Sequence, residues 1–327
     1  MKWFISLIFS SLLLTCVIGN PLGQYFLKNK RVKRTVFRSE VASNGVTIKS
    51  NADAFKFLVE FGYNRCQTPS GTDSKIYGSP ACQSSFESML EHFQTSFHLP
   101  VTRELDGATL KLMNTPRCDL PDSSSSLINK TNTLWPTNRT LTWKLDYDHS
   151  FYDLTKTSRQ IEQSFNDWAR YTKLTFRQVT EQEDVDFNLA FESGQHSDAY
   201  PFDGRDGTLA HAFYPWQHGR GQIHFDSTEK WTDKIHRYNG KGHNLRIVAS
   251  HEIGHVLGLE HNTNNKKSIM YPFYNLILPE DILLKEDQER IQALYGEKPA
   301  TVPTFPPTTS VRATNVTKQL TETGEGQ

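Results

Sequence analysis

The segment "HEIGHVLGLEH", residues 251–261, decides how the rest of the sequence is interpreted. In a helix, His251 and His255 lie one turn apart on the same face, so both imidazoles can reach one metal ion. Gly258 permits a sharp turn with positive φ at the end of that helix, and the turn brings in His261 as a third ligand. Three protein ligands with one position left open to water are typical of a catalytic zinc site.

Two further residues complete this predicted centre. Glu252 follows the first histidine and can lean over the metal without binding it, so that it takes a proton from zinc-bound water and returns it to a leaving amine. Met270, in "SIMYPFY" (268–274), is predicted to form a hydrophobic floor below the metal. The alternative is a helix with surface histidines, but the long pattern is far more specific than HExxH alone.

The cysteines raise a separate question. Cys16 lies in an apolar leader, which leaves Cys66, Cys82 and Cys118. A disulfide between Cys66 and Cys82 would close the loop between two predicted helices and constrain the unfolded chain. Cys118, in "TPRCDLPD" (115–122), would then be a lone thiol. A free thiol that awaits a dimer partner is one interpretation of it.

Composition and the leader suggest an exported protein. The 327 residues carry 36 Lys plus Arg and 36 Asp plus Glu, so the formal net charge is zero. There is therefore no excess of positive charge that would indicate a nucleic-acid partner. Residues 1–19 are predicted to be a signal peptide, with a signal anchor as the alternative. We expect secretion into the extracellular space or matrix, with no membrane anchor. Sequons at Asn129, Asn138 and Asn315 are compatible with glycosylation on that route.

Sequence patterns divide the remaining chain. Apolar residues at helical spacing predict a small helical domain over 52–114 within a propeptide of residues 20–133. The cluster "RVKR" (31–34) is either a convertase site or a solvated basic segment. A serine-rich linker at 122–133 is open to proteolysis. Strand and helix patterns alternate over 134–297 and predict an α/β or α+β domain, and a Pro/Thr-rich tail occupies 298–327.

These motifs together resemble the metzincin zinc endopeptidases and, within them, the matrix metalloproteinases. The resemblance runs from about 52 to 296 and implies a five-stranded, twisted, mostly parallel sheet with three helices. It also implies a peptidoglycan-binding-like helical prodomain and a cysteine switch at 116–122, because "PRCDLPD" is similar to the family's PRCGVPD. The Cys118 thiolate would then occupy the fourth zinc position in the latent form. Arg117 and Asp122 match the pair that braces the switch, and Asp119 replaces its usual glycine.

The resemblance implies further metal sites upstream. Side chains in "HSDAYPFDGRDGTLAHAFYPW" (196–216) and "GQIHFDSTEKW" (221–231) would hold a second, closed structural zinc and at least one calcium ion. The structural zinc ligands would be His196, Asp198, His211 and His224. The calcium ligands would be the side chains of Asp203, Asp226 and Glu229 and the backbone oxygens of Gly204, Asp206 and Thr208.

Three departures from the family pattern are evident. Gln222 replaces an aspartate of a second calcium site, so that site lacks one of the family's ligands. Asn262 follows the third histidine where serine is usual, and the segment from His261 to Met270 is one residue longer than the common form. We expect no hemopexin-type propeller after the tail, an arrangement that resembles the minimal members of the family.

We therefore expect a monomeric, secreted zymogen of a zinc-dependent endopeptidase that acts on extended peptides, with extracellular matrix proteins as the family expectation. The substrate would pair with the edge strand around Leu209–Phe213. Another protease would activate the chain by cutting between Cys118 and Trp135. The alternatives are a catalytically silent zinc-binding module, which Glu252 argues against, and a metzincin of another subfamily, which the cysteine motif argues against.

Overall fold

A computed structural model describes residues 47–64, 84–122, 133–146, 153–179, 184–234, 242–278, 280 and 282–299. The predicted signal peptide, the basic cluster at 31–34, Cys66 and Cys82 lie outside these residues, as do most of the linker and the tail from 300 onward. Those predictions therefore stay predictions.

Three short helices form the domain that precedes the cysteine motif: α1 (Asn51–Glu60), α2 (Phe86–Ser96) and α3 (Gly107–Met113). Each begins at a side chain that accepts a hydrogen bond from a backbone N–H of the first turn, namely Ser50, Ser85 and Asp106. Such caps satisfy donors that a helix cannot satisfy internally. The apolar faces meet in one buried cluster that includes Leu58, Leu90 and Phe93.

The second part of the chain is built on one sheet. Its strands are β2 (Leu141–Asp146), β3 (Phe176–Gln178), β4 (Phe187–Glu192), β5 (Thr208–Ala212) and β6 (Gln222–Asp226). The helices around it are α4 (Leu154–Ala169), α5 (Leu245–Val256) and α6 (Lys285–Tyr295). The order in space is β5-β6-β4-β2-β3, with only β5 antiparallel to its neighbour. The predicted five-stranded, mostly parallel sheet with three helices is confirmed.

Two features of the sheets were not predicted. A sixth strand, β1 (Arg117–Cys118), comes from the cysteine motif and pairs in parallel with β5 at the edge of the sheet. A separate two-stranded sheet joins β7 (Trp231–Thr232) to β8 (His243–Asn244), immediately before α5. Strands β1, β7 and β8 are each only two residues long, which is too short to show an alternating pattern in the sequence.

Helix α5 is the centre of the fold, and all of its residues except Arg246 are buried. It packs on α4, where the indole nitrogen of Trp168 donates to the backbone oxygen of Ser250 at 2.9 Å. Asp167 of α4 pairs with Arg246 at 2.6 Å and also accepts from the Ser250 hydroxyl at 3.1 Å. These contacts hold the helix that carries His251 and His255 against the core.

The core of the helical domain also includes residues from the segment that follows α5. Tyr271 and Phe273 belong to the same buried cluster as the helices and lie within 6 Å, between ring centroids, of Phe97. Within the described residues, no helix is both long and apolar enough to cross a membrane.

We predict that Asp167→Ala lowers the free energy of unfolding by about 2–4 kcal/mol, because it leaves a partly buried guanidinium and a buried hydroxyl without their acceptor. Urea unfolding of the metal-loaded chain measures the change. The matched control is Glu289→Ala, which removes an exposed ion pair with Lys285 at 3.5 Å and should cost about 0.5 kcal/mol or less. Equal effects of the two substitutions would contradict the role given to Asp167.

Candidate metal centres

The three histidines of residues 251–261 converge as their spacing predicts. Nε2 of His255 lies 3.0 Å from Nε2 of His251, and Nε2 of His261 lies 3.3 Å from the same atom. Gly258 adopts φ of +103°, which a residue with a side chain rarely tolerates. The Leu259 N–H then donates to the backbone oxygen of Gly254 at 2.9 Å, which closes the helix and turns the chain toward the site.

The opposite ring nitrogens hold these imidazoles in place. Nδ1 of His251 lies 2.6 Å from the backbone oxygen of Ile269, and Nδ1 of His255 lies 2.7 Å from that of Leu259. A carbonyl oxygen can only accept, so both Nδ1 atoms carry the proton and both Nε2 lone pairs face the shared point. This is the arrangement that histidine ligands of zinc normally show, and the residues therefore fit the metal.

Cys118 supplies a fourth candidate ligand at the same point. Its sulfur and the three histidines offer ligand atoms that all lie within 4.8 Å of one another. The sulfur is also 3.7 Å from Oε2 of Glu252 and accepts from the Leu120 N–H at 3.4 Å. Burial, and next the Glu252 carboxylate, raise the pKa of the Cys118 thiol. A cation at this point would act in the opposite direction by stabilising the thiolate.

Glu252 is fully buried beside this cluster, and the burial raises its pKa to about 8. A carboxyl group with a pKa near neutrality can both accept and release a proton at working pH. The predicted proton acceptor is thus in place beside the sulfur that would exclude water.

The residues around Cys118 form a buried brace. Arg117 and Asp122 make a two-pronged ion pair, with nitrogen–oxygen distances of 2.6 and 3.2 Å. The guanidinium carbon lies 3.5 Å from the centroid of the Phe61 ring, and the Tyr63 hydroxyl donates to Asp122 at 2.7 Å. Although burial opposes ionisation of the carboxyl group, Arg117 and His261 lower the pKa of Asp122 to about 2.

Asp122 also connects this brace to the metal ligands, because its Oδ1 lies 3.0 Å from Nδ1 of His261. Asp119 reaches the second histidine cluster in a similar way, with its Oδ2 3.7 Å from Nδ1 of His211. Asp119 is not among the described residues with positive φ, and its N–H donates to the Ala210 oxygen at 3.0 Å. The loop therefore does not need the family's glycine here.

The second predicted cluster also converges. Oδ2 of Asp198 lies 2.8 Å from Nδ1 of His224, 3.0 Å from Nε2 of His211 and 3.3 Å from Nε2 of His196. Desolvation opposes its ionisation, but hydrogen bonds with the three histidines hold the pKa of Asp198 far below its usual range. Four ligands with no position open to water are the pattern of a structural zinc site.

The predicted calcium ligands lie in two neighbouring segments, residues 203–208, which lead into β5, and residues 226–229, which begin at the end of β6. Oδ1 of Asp203 accepts from the Thr208 N–H at 2.8 Å, and a Cβ on Gly207 would collide with this carboxylate. Among the described residues, the buried Oδ2 of Asp226 has no hydrogen-bond donor, and burial raises the pKa of Asp226 to about 6. A buried carboxylate oxygen without a donor is the ligand type that calcium takes.

Sequence reasoning identified Met270 but missed the residue it touches. Met270 is fully buried, and a Cβ on Gly254 would collide with its sulfur. Gly254 lies between the two helical histidines, so its missing side chain lets Met270 pack directly below them. Tyr63 and Ile269 were also missed, because nothing local in the sequence indicates their long-range contacts.

Residues 134–296 match the family described as Matrixin. The chain is 39% identical over 234 residues to macrophage metalloelastase of Rattus norvegicus, which covers 68% of this chain and 47% of that protein. It is 37% identical over 210 residues to matrix metalloproteinase-20 of Homo sapiens (64% of this chain, 42% of that protein). It is 38% identical over 210 residues to interstitial collagenase B of Mus musculus (64% and 44%). The chain spans less than half the length of each of these relatives.

We predict that Gly254→Ala lowers the free energy of unfolding by about 1–3 kcal/mol and weakens zinc retention, because the added methyl displaces Met270 and shifts the histidines above it. Chelator competition followed by metal analysis measures zinc retention, and thermal unfolding measures stability. Gly107→Ala is the matched control, since a Cβ there meets nothing within 4 Å. A Gly254→Ala protein that behaves like the control would contradict this packing argument.

Proposed function

Because the chain belongs to the matrixin family, we propose that it is a secreted, zinc-dependent endopeptidase that its own pro-segment holds latent. The observation that carries the proposal is the convergence of three histidines, one glutamate and one pro-segment cysteine on a single buried point. Extracellular matrix proteins are the proposed substrates, in keeping with relatives named as collagenases and a metalloelastase.

The pro-segment lies where an extended substrate would bind. On one side, the N–H groups of Arg117 and Asp119 donate to backbone oxygens on Gly207 and Ala210, both at 3.0 Å. On the other side, the Cys118 N–H donates to the oxygen of Pro272 at 3.0 Å. A strand bonded on both sides fills the cleft, so a peptide can pair with β5 only after this segment leaves.

The proposed chemistry assigns a role to each residue of the centre. His251, His255 and His261 would hold the catalytic zinc, which when bound polarises the scissile carbonyl and lowers the pKa of water. Glu252 takes the proton of the attacking water and delivers it to the leaving amine. In the latent chain, burial raises the pKa of Glu252 to about 8, and departure of the pro-segment would admit the water that this residue activates. Met270 and Gly258 position the ligands.

A cavity beside Glu252 and His251 supports a preference for apolar side chains. Its walls include Leu209, Val248 and Ile277. Because water leaves such a surface when an apolar group enters, we propose that a hydrophobic residue next to the scissile bond of the substrate occupies this cavity.

The remaining sites are proposed to be structural. His196, Asp198, His211 and His224 would hold a second zinc ion, and Asp203, Asp226 and Glu229 would bind calcium together with the backbone oxygens of Gly204, Asp206 and Thr208. Both would tie the loops between β4 and α5 to the sheet. We propose that the chain acts as a monomer.

Activation requires a cut that separates the brace from the catalytic domain. Trp135 is buried, and its indole nitrogen donates to the backbone oxygen of Val256 at 2.7 Å. The domain is therefore anchored from this residue onward, and a second protease would cut between Cys118 and Trp135.

We predict that Glu252→Gln retains both zinc ions but reduces hydrolysis of gelatin by about 10²–10⁴-fold, because the amide cannot accept the proton of water. The chain is first cut before Trp135 by an added protease, which is then inhibited. Glu289→Gln, the same exchange at an exposed residue of α6 outside the three metal clusters, is the control and should keep full activity. A Glu252→Gln enzyme as active as wild type would exclude this residue as the base.

We also predict that Asp122→Asn makes the uncut chain reactive. Loss of the carboxylate charge leaves the buried Arg117 without its partner and loosens the strand that carries Cys118. Alkylation of Cys118, followed by mass spectrometry of its peptide, should become faster by about tenfold or more, a factor that corresponds to about 1.4 kcal/mol. Glu91→Gln, which breaks an exposed pair with Arg103 in the same domain, should have no effect. Unchanged protection of Cys118 in Asp122→Asn would contradict the brace.

A further inference from the structure

Three side chains converge at a place that neither zinc cluster includes. Asp206, Glu229 and His243 come from the loop before β5, the loop after β6 and strand β8, and their ligand atoms lie within 4.8 Å of one another. The backbone of Asp206 and the side chain of Glu229 belong to the proposed calcium set. His243 belongs to no set identified from the sequence, so this cluster goes beyond the proposed function.

The imidazole of His243 has a fixed position. Its backbone N–H donates to the Lys230 oxygen at 2.8 Å, and β8 pairs with β7. Its ring is perpendicular to the ring of Tyr274, with 4.9 Å between centroids, and its side chain is 1% exposed. A histidine held in this way needs little further ordering to bind a metal, which lowers the entropy cost of binding.

The Glu229 carboxylate faces two ways. One oxygen, Oε1, accepts from the Asp206 N–H at 2.6 Å, and the other, Oε2, lies 3.1 Å from Nδ1 of His243. The side chain of Glu229 is also 1% exposed. The first contact thus directs the second oxygen at the imidazole and makes the two side chains a preformed pair.

Asp206 closes the cluster on the solvent side. Its Oδ1 lies 4.0 Å from Nε2 of His243, and its side chain is 57% exposed. Its φ of +62° is a conformation that aspartate and asparagine tolerate better than most residues. The cluster therefore has two buried ligands and one ligand at the surface, through which an ion can enter.

We propose that Asp206, Glu229 and His243 form a third zinc site. One imidazole nitrogen with two carboxylate oxygens suits a borderline ion such as zinc, whereas calcium takes oxygen ligands. Ligand atoms on one tetrahedral zinc ion lie about 3.3–3.6 Å apart, given bonds of about 2.0–2.2 Å. The 3.1 Å contact between Nδ1 of His243 and Oε2 of Glu229 is close to this spacing. The 4.0 Å contact of Asp206 is with the opposite ring nitrogen, Nε2, and one zinc ion binds only one nitrogen of an imidazole, so the exposed carboxylate of Asp206 has to turn toward Nδ1 to complete the site. Glu229 would be shared with the calcium set, and water would complete the zinc site.

The competing interpretation is that His243 and Glu229 form only a structural ion pair that connects β8 to the calcium loop. Equilibrium dialysis of the full, uncut chain against zinc, with calcium present in excess, distinguishes the two. The proposal predicts three zinc equivalents for the wild type. It predicts two equivalents for His243→Gln and two for Asp206→Asn, because either substitution lowers the affinity for the third zinc ion by about tenfold or more.

Asp206→Asn is the more informative variant, because it keeps the backbone oxygen and the positive φ and removes only the charge of an exposed carboxylate. His98→Gln is the control for adventitious binding by exposed histidines and should keep three equivalents. Thermal unfolding gives a second reading: zinc beyond two equivalents should raise the melting temperature of the wild type but not of Asp206→Asn.

Two equivalents in the wild type, or a third that persists in both cluster variants, would overturn the proposal. Metal content is measured on the latent chain, so a failure of hydrolysis would bear only on the proposed function.

Discussion

The convergence of three imidazoles and one sulfur on a single point is the constraint on which the rest of the structure depends. The histidines come from one helix and the turn that ends it, whereas Cys118 comes from a strand more than 130 residues earlier. The sulfur reaches that point because the pro-segment enters the cleft as a strand beside β5. Three features hold the sulfur there: the pairing of the sixth strand with the sheet, its hydrogen bonds to the 272–274 segment, and the aromatic contacts of the helical domain.

Charge burial explains why the arrangement can be both stable and reversible. Arg117 and Asp122 are almost entirely buried, and an ion pair in such a place contributes little net stability while both partners are present. Removal of either partner is costly, because the other charge then lies in an apolar surrounding. The proposed latent state would therefore tolerate its buried pair only as a complete unit, and the proposed cut, placed after Asp122, would let that unit leave together.

The sequence predicted the parts of the molecule in which chemistry follows from local spacing. His251, His255, Gly258 and His261 lie within eleven residues. Helix geometry places the first two histidines, and the turn at the glycine brings in the third. The strand order, the two-residue strand β1 and the contact between Gly254 and Met270 depend on residues far apart in the chain, so no local pattern encodes them. Asp119 illustrates the same limit, since its contact with His211 joins two segments that only the folded sheet brings together. The upstream ligand sets were predicted through family resemblance rather than spacing, and the His243 cluster, which that resemblance lacks, was missed.

X-ray absorption at the zinc edge of the intact, uncut chain tests the central claim most directly. The account predicts one sulfur neighbour at about 2.3 Å for one zinc ion of each chain, together with imidazole nitrogens at about 2.0–2.1 Å. The sulfur signal is averaged over all the zinc ions that the chain binds. The sulfur signal should disappear in Cys118→Ser while the nitrogen shell stays. A zinc environment without sulfur in the wild-type chain would contradict the account, because Cys118 would then lie near the metal without binding it.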